Sequence, residues 1–209
     1  MNGDGYMKAT FMQRLLAYLL DMIIVGVVLM FMGIFIPGYN SDDSQELSEE
    51  LVKVENNLVE VMQSGDKDAY DDTMQNVIDI EYKISKTSVL SNTISFIIIF
   101  GYFVILQFML KGKTIGKMLM KIRIVDKKKN EPSFWTILYR NFIVFGLLTS
   151  FLSLILIIIL PKNAYVMFNT ILNIIESIFV IVSALMILYR KDKRGLHDMM
   201  AGTSVIKDE

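Results

Sequence analysis

The chain has 209 residues, of which 53% are hydrophobic and 21% charged, with one histidine, no cysteine and a formal net charge of −1; its mean hydropathy is +0.46. That is more apolar content than a water-soluble domain of this length buries, so an integral membrane protein is expected. Disulfides, thiolate metal sites, cysteine nucleophiles and multi-histidine centres are excluded, no metal or organic cofactor is expected, and the charge balance gives no signal for nucleic acid.

Residues 1–36 read as an amino-terminal segment and a first span, Leu15–Ile36. The run is too long for a signal peptide, and Phe35-Ile36-Pro37-Gly38 offers no small-x-small cleavage site. Inside it stands Asp21, and an aspartate near the centre of a spanning helix costs about 2.5–3.5 kcal/mol to insert. Arg14 lies seven positions earlier on nearly the same face, about 10.5 Å away along the axis and too far for direct pairing. Tyr18, between them, can contribute a bridging hydroxyl.

Residues 37–88 are strongly acidic. Leu47, Leu51, Val54, Leu58 and Val61 recur at the spacing of a helix seam, Ser64-Gly65-Asp66-Lys67 breaks the pattern, and Tyr70, Met74, Val77, Ile80 and Ile84 form a second stripe. This predicts an antiparallel helical hairpin inserted between the first two spans, its stripes either burying each other or docking an outside partner.

The second span covers residues 89–110, and 111–136 form a basic connection carrying Lys111, Lys113, Lys117, Lys121, Arg123, Lys127, Lys128 and Lys129. Thr114–Lys121 suits a short interfacial helix whose lysines face anionic lipid headgroups. Ile122–Asp126 reads as a strand, the run from Lys127 to Pro132 as a turn, and Thr203–Ile206 as a partner strand, giving a small cytoplasmic β flap. Gly112-Lys113-Thr114 is not a phosphate loop, because Gln107 stands where that motif needs its first glycine. Residues 137–189 hold the third and fourth spans, Ile137–Leu160 and Thr170–Tyr189, and 190–209 form a basic tail. The lysine and arginine bias places both termini in the cytoplasm and the acidic hairpin outside. The predicted fold class is thus an all-α membrane protein of four transmembrane helices with an extracytoplasmic helical hairpin and a cytoplasmic flap.

Further polar residues fall within the spans: Gln107, Asn141, Asn173 and Glu176. The amides suit interhelical hydrogen bonding, whereas Glu176 sits at a different depth from Asp21. Arg140, opening the third span, shares the depth of Arg14, and Asp198 follows the fourth span at that level. The cheapest arrangement is a buried network of Arg14, Asp21, Arg140 and Asp198, in which one arginine neutralises Asp21 and the other Asp198. Such a network is either architectural or a protonatable site in a cation or solute path, with Asp21 as the protonatable group and Arg14 and Arg140 setting its pKa. With no serine, histidine and carboxylate set, an enzyme is not expected.

Arg14-Leu-Leu-Ala-Tyr-Leu-Leu-Asp21, Gly112-Lys-Thr-Ile-Gly-Lys117 with Ile122-Arg-Ile-Val125, Arg140-Asn141 and Leu196-His-Asp-Met-Met-Ala-Gly-Thr203 together resemble the RDD family of small bacterial integral membrane proteins. In that resemblance Arg14 and Asp21 match the family's arginine and first aspartate, and Asp198 its second. It implies a multi-pass protein of the bacterial cell membrane, linked either to transport, including cation/proton exchange, or to immunity or regulatory roles beside other membrane proteins. Four spans make a thin wall for a pathway, so a carrier is expected to be a homo-oligomer. The long hairpin departs from the minimal family plan and favours a second membrane or extracytoplasmic protein as partner.

Overall fold

A computed structural model of the chain describes residues 6–37, 39, 42–128, 130–144 and 146–208. Gly38 and Lys129 of the sequence reading lie outside them. The chain is mostly helical. Among the described residues three helical runs are long and apolar enough to cross a membrane: α1 (Phe11–Phe35), the run Val89–Met109, and α9 (Lys162–Tyr189). The hairpin helices α2 (Asp42–Ser64) and α3 (Lys67–Thr87) separate the first two.

The expected third span, Ile137–Leu160, is not one helix. It is divided into α7 (Phe134–Val144) and α8 (Leu147–Ile159), bent by 71°, so the spans number four only if this broken pair counts as one. Gly146 lies at the break with φ +61°, the left-handed conformation that ends helices and that glycine adopts without a Cβ penalty. The fourth helix starts at Lys162 rather than Thr170, its first turn bonded from Tyr165 N back to the Pro161 carbonyl. The run Val89–Met109 is itself irregular: α4 (Val89–Phe100) passes through a π-helical turn, Gly101–Leu106, into α5 (Gln107–Met109). Such turns widen a helix locally and redirect its side chains.

The chain forms two compact units. One comprises residues 1–31, 96–148 and 174–209. In it the predicted strands pair: β1 (Ile122–Asp126) runs antiparallel to β2 (Thr203–Lys207), in a register from Ile122 opposite Lys207 to Asp126 opposite Thr203. Two strands alone are marginal. Here Lys8 bridges to Ile206, Ala9 N donates to the Val205 carbonyl, and Lys207 N donates to that of Met7. Ala9, Ala17, Ile122, Ile124 and Val205 close over each other as a buried cluster, which ties the sheet to α1. A second cluster of Val104, Ile137 and Leu147 binds the π-helical run to α7 and the start of α8.

The other unit comprises residues 32–95 and 149–173. The hairpin turns where expected: Gly65 has φ +74°, and the Asp66 carboxylate caps α3 by accepting from the Asp68 and Ala69 amides. The α2 residues Leu47, Leu51, Val54, Leu58 and Val61 are half-buried between exposed neighbours. A second face of α3 packs within the chain, as Ile78 and Tyr82 cover the cluster of Ile157, Tyr165 and Val166. The Tyr82 and Tyr165 rings meet edge to face at 5.8 Å, and Asp79 pairs with Lys162.

Candidate functional site

Between α1 and α9 the first unit holds a cavity of about 260 Å³. Phe11, Arg14, Leu15, Tyr18 and Asp21 line it from α1, and Phe179, Val180, Ser183, Ala184 and Ile187 from α9. Both sets recur at three- and four-residue steps, one face of each helix. Lys117, Arg140 and His197 complete the polar lining.

Asp198 is the hub. It lies in α10 (Leu196–Met200), is fully buried, and accepts in its first turn from the Gly195 amide at 3.1 Å. Its Oδ2 accepts from Arg14 Nη1 at 2.6 Å, and its Oδ1 from Arg140 Nε at 3.1 Å and Nη2 at 3.0 Å. Burial works against the charged carboxylate, but Arg140 and Arg14 override it and hold Asp198 well below the usual carboxylate range. Behind it, Arg194 donates to the carbonyls of Asp198 and Thr203 at 3.1 and 2.9 Å. A guanidinium only donates, so His197 Nε2, 3.2 Å from Arg140 Nη2, is an acceptor. The imidazole proton then sits on Nδ1 and is donated to Ser183 Oγ at 2.5 Å. This neutral tautomer agrees with a pKa pushed down by burial to about 3, against the pull of Asp198 and with help from Arg140.

The expected division of the arginines fails: both serve Asp198, and Asp21 takes other partners. Asp21 Oδ1 accepts from Tyr102 Oη at 2.6 Å and the Gly116 amide at 2.7 Å, and Oδ2 from Thr114 Oγ1 at 2.5 Å. Lys117 Nζ stands 3.9 Å away. Local sequence explains how they converge. The π-helical turn carries Tyr102, and Thr114 caps α6 (Ile115–Leu119), whose first turn presents the Gly116 amide. A Cβ on Gly116 would meet the Ala17 carbonyl and stand 2.7 Å from Asp21 Oδ1, so glycine is what lets the helices approach.

Lys117 also departs from expectation. It does not face headgroups: α6 exposes Ile115, Met118 and Leu119 and buries Gly116 and Lys117. Nζ lies 3.3 Å from Thr114 Oγ1 and 3.0 Å from the Gln107 amide. Burial, reinforced by Arg140 and opposed by Asp21, lowers its pKa to about 7. Asn141 Nδ2 donates to the Phe103 carbonyl across the helix contact, as expected of interhelical amides. Tyr18 lines the cavity, half-exposed. Asn173 donates at 2.8 Å to Asn169 of its own helix, and the Glu176 carboxylate lies against Gly146 and is not part of the cavity lining. Tyr102, Thr114, Gly116, Lys117 and Thr203 were missed as partners of the aspartates. The available signal was Thr114-Ile-Gly-Lys117, a helix cap whose next turn carries a lysine.

Among the described residues no cluster of three or more metal-ligating side chains occurs. Neither the curated proteins nor the solved structures contain a match to the chain. The RDD family model matches residues 8–202, nearly the whole chain, which therefore belongs to the RDD family.

Proposed function

We propose that the chain moves a small solute across the bilayer with a proton exchanged at Lys117. The observation that supports this reading is the cavity, which brings a buried lysine poised near neutrality to a carboxylate, two arginines and apolar helix faces. Asp21 takes three donors on its carboxylate beside Lys117, and the Lys117 amine carries the proton. A protonated Lys117 takes the Gln107 oxygen at 3.0 Å. A neutral amine accepts from the Gln107 nitrogen instead and frees that oxygen for Asn141 Nδ2 at 2.7 Å. The proton on Lys117 thus bears on which way the Gln107 amide of α5 faces Asn141 of α7. With Lys117 protonated, three cations outnumber two carboxylates at the cavity, which disfavours a cation as cargo. The lysine and arginine bias supports cytoplasmic termini and an external hairpin, and the thin wall of helices supports an oligomer in the bacterial cell membrane.

The test is solute-driven pH change in proteoliposomes, with a lumenal dye, for wild type and Lys117→Met at equal reconstitution. Coupled flux lost in the variant supports the reading. Undiminished proton coupling in Lys117→Met overturns it.

A second reading, an immunity or regulatory subunit that holds another membrane or extracytoplasmic protein, is favoured by α2. Val52, Val59 and Met62 are exposed on this otherwise acidic helix. Under it, removal of the hairpin abolishes function while substitution of Lys117 does not.

A further inference from the structure

We propose that the cavity between α1 and α9 binds an anionic single-chain amphiphile, its carboxylate or phosphate head at Arg14, Lys117 and Arg140 and its alkyl tail against the apolar side chains of the two helices. The inference deepens the transport reading and rests on it for the translocation step after binding.

Charge is the first ground. Arg14 and Arg140 share the single charge of Asp198, Lys117 faces Asp21, and Arg194 lies behind Asp198. His197 is neutral by its hydrogen bonds and adds nothing to either side. With Lys117 protonated, the two arginines and the lysine outnumber Asp21 and Asp198, and an anion relieves that surplus where an uncompensated charge is costly. Arg14 gives a second ground: it is largely buried, it lines the cavity, and its Nε has no hydrogen-bond partner. Asp198 thus does not exhaust the hydrogen-bonding capacity of this guanidinium.

The walls select the rest of the ligand. Between the charged groups, Leu15, Val144, Phe179, Val180, Ala184 and Ile187 offer hardly any hydrogen-bonding atoms. The void is far larger than the roughly 10–15 Å³ that one water needs, yet a water beside these side chains finds few polar partners. An alkyl chain loses nothing there and gains the transfer free energy of its methylenes on leaving water. A free inorganic anion would leave this part of the cavity unfilled, and an uncharged alcohol would leave the arginines uncompensated.

The experiment is isothermal titration calorimetry of the full chain in a sterol-based detergent, which has no alkyl tail to compete. The ligands are decanoate, decyl phosphate, decanol and inorganic phosphate. Saturable binding of the two charged decyl compounds is expected, with decanol and inorganic phosphate weaker by about tenfold or more, the worth of hydrogen bonds to charged groups. Ala184→Trp, which fills the cavity from α9 without touching an ion pair, should weaken decanoate by a similar factor. Decanol binding as tightly as decanoate, or inorganic phosphate binding as tightly as decyl phosphate, would overturn the proposal. A photoreactive decanoate supplies a readout on unaltered protein: crosslinks on residues 11–21 and 179–187 support the site, and crosslinks concentrated on the exposed Ile158 and Ile159 of α8 overturn it. Binding without decanoate flux in proteoliposomes keeps the site and defeats the transport reading; flux of another solute without decanoate binding does the reverse.

Discussion

Asp198 holds two guanidinium groups that would otherwise face the same cavity, so Asp198→Asn leaves both without their counter-charge. Breaking a buried ion pair from one side costs about 3–5 kcal/mol, and the thermal midpoint in detergent is expected to fall by many degrees. At Gly116 the constraint is space rather than charge. Gly116→Ala must push the Ala17 carbonyl or the Asp21 carboxylate aside, at about 1–3 kcal/mol for overpacking, measurable in the same assay. The two shifted bases make stability depend on pH. His197 falls to about 3 from an ordinary 6.5, so between these values the unfolded chain binds a proton that the folded one refuses, and stability declines on acidification through that window. Lys117 falls to about 7 from 10.5. Between those values the unfolded chain again holds the extra proton, so stability rises with pH from 7 to 10.5 as that proton is given up. Lys117→Met should flatten this alkaline rise and leave the acid limb intact, which midpoints recorded across both windows will check.

Among the elements, the break between α7 and α8 depends most on one residue. Gly146→Ala forces a Cβ into the left-handed region and toward the Glu176 carboxylate, with an expected loss of about 1–2 kcal/mol for the backbone alone. A double variant with Glu176→Ala should recover only the steric part. The same break shows where sequence stops being informative. The hairpin was legible down to its turn, because seam spacing and a Gly-Asp break are local signals. So was the pairing of Ile122–Asp126 with the tail strand. Ile137–Leu160 read as one span because hydropathy counts apolar residues and ignores a φ angle at one glycine. The partner exchange at the site was hidden for a different reason. Arg14 and Arg140 lie at the right depth for either aspartate, and the choice depends on the π-helical turn delivering Tyr102 and on α6 burying its lysine. Neither leaves a periodic trace.

For the molecule as a whole, the first matter to settle is which way it faces. With no native cysteine, single substitutions report this cleanly. In intact cells Ser64→Cys, in the hairpin turn, should react with an impermeant maleimide, and Lys127→Cys, after β1, should react only once the membrane is opened; the opposite pattern would reverse the proposed orientation.

The reach of the Asp198 clamp has a further consequence, in time. Arg14 and its carboxylate are 184 positions apart, which at roughly 5–20 residues per second of synthesis is about 10–40 s. Throughout that interval the first span waits at the translocon with an arginine whose permanent neutraliser does not yet exist. A chain interrupted before residue 198 leaves two guanidiniums stranded, together with an edge on β1 that β2 never covers. An interrupted chain therefore lacks both the counter-charge and the strand that the folded first unit requires.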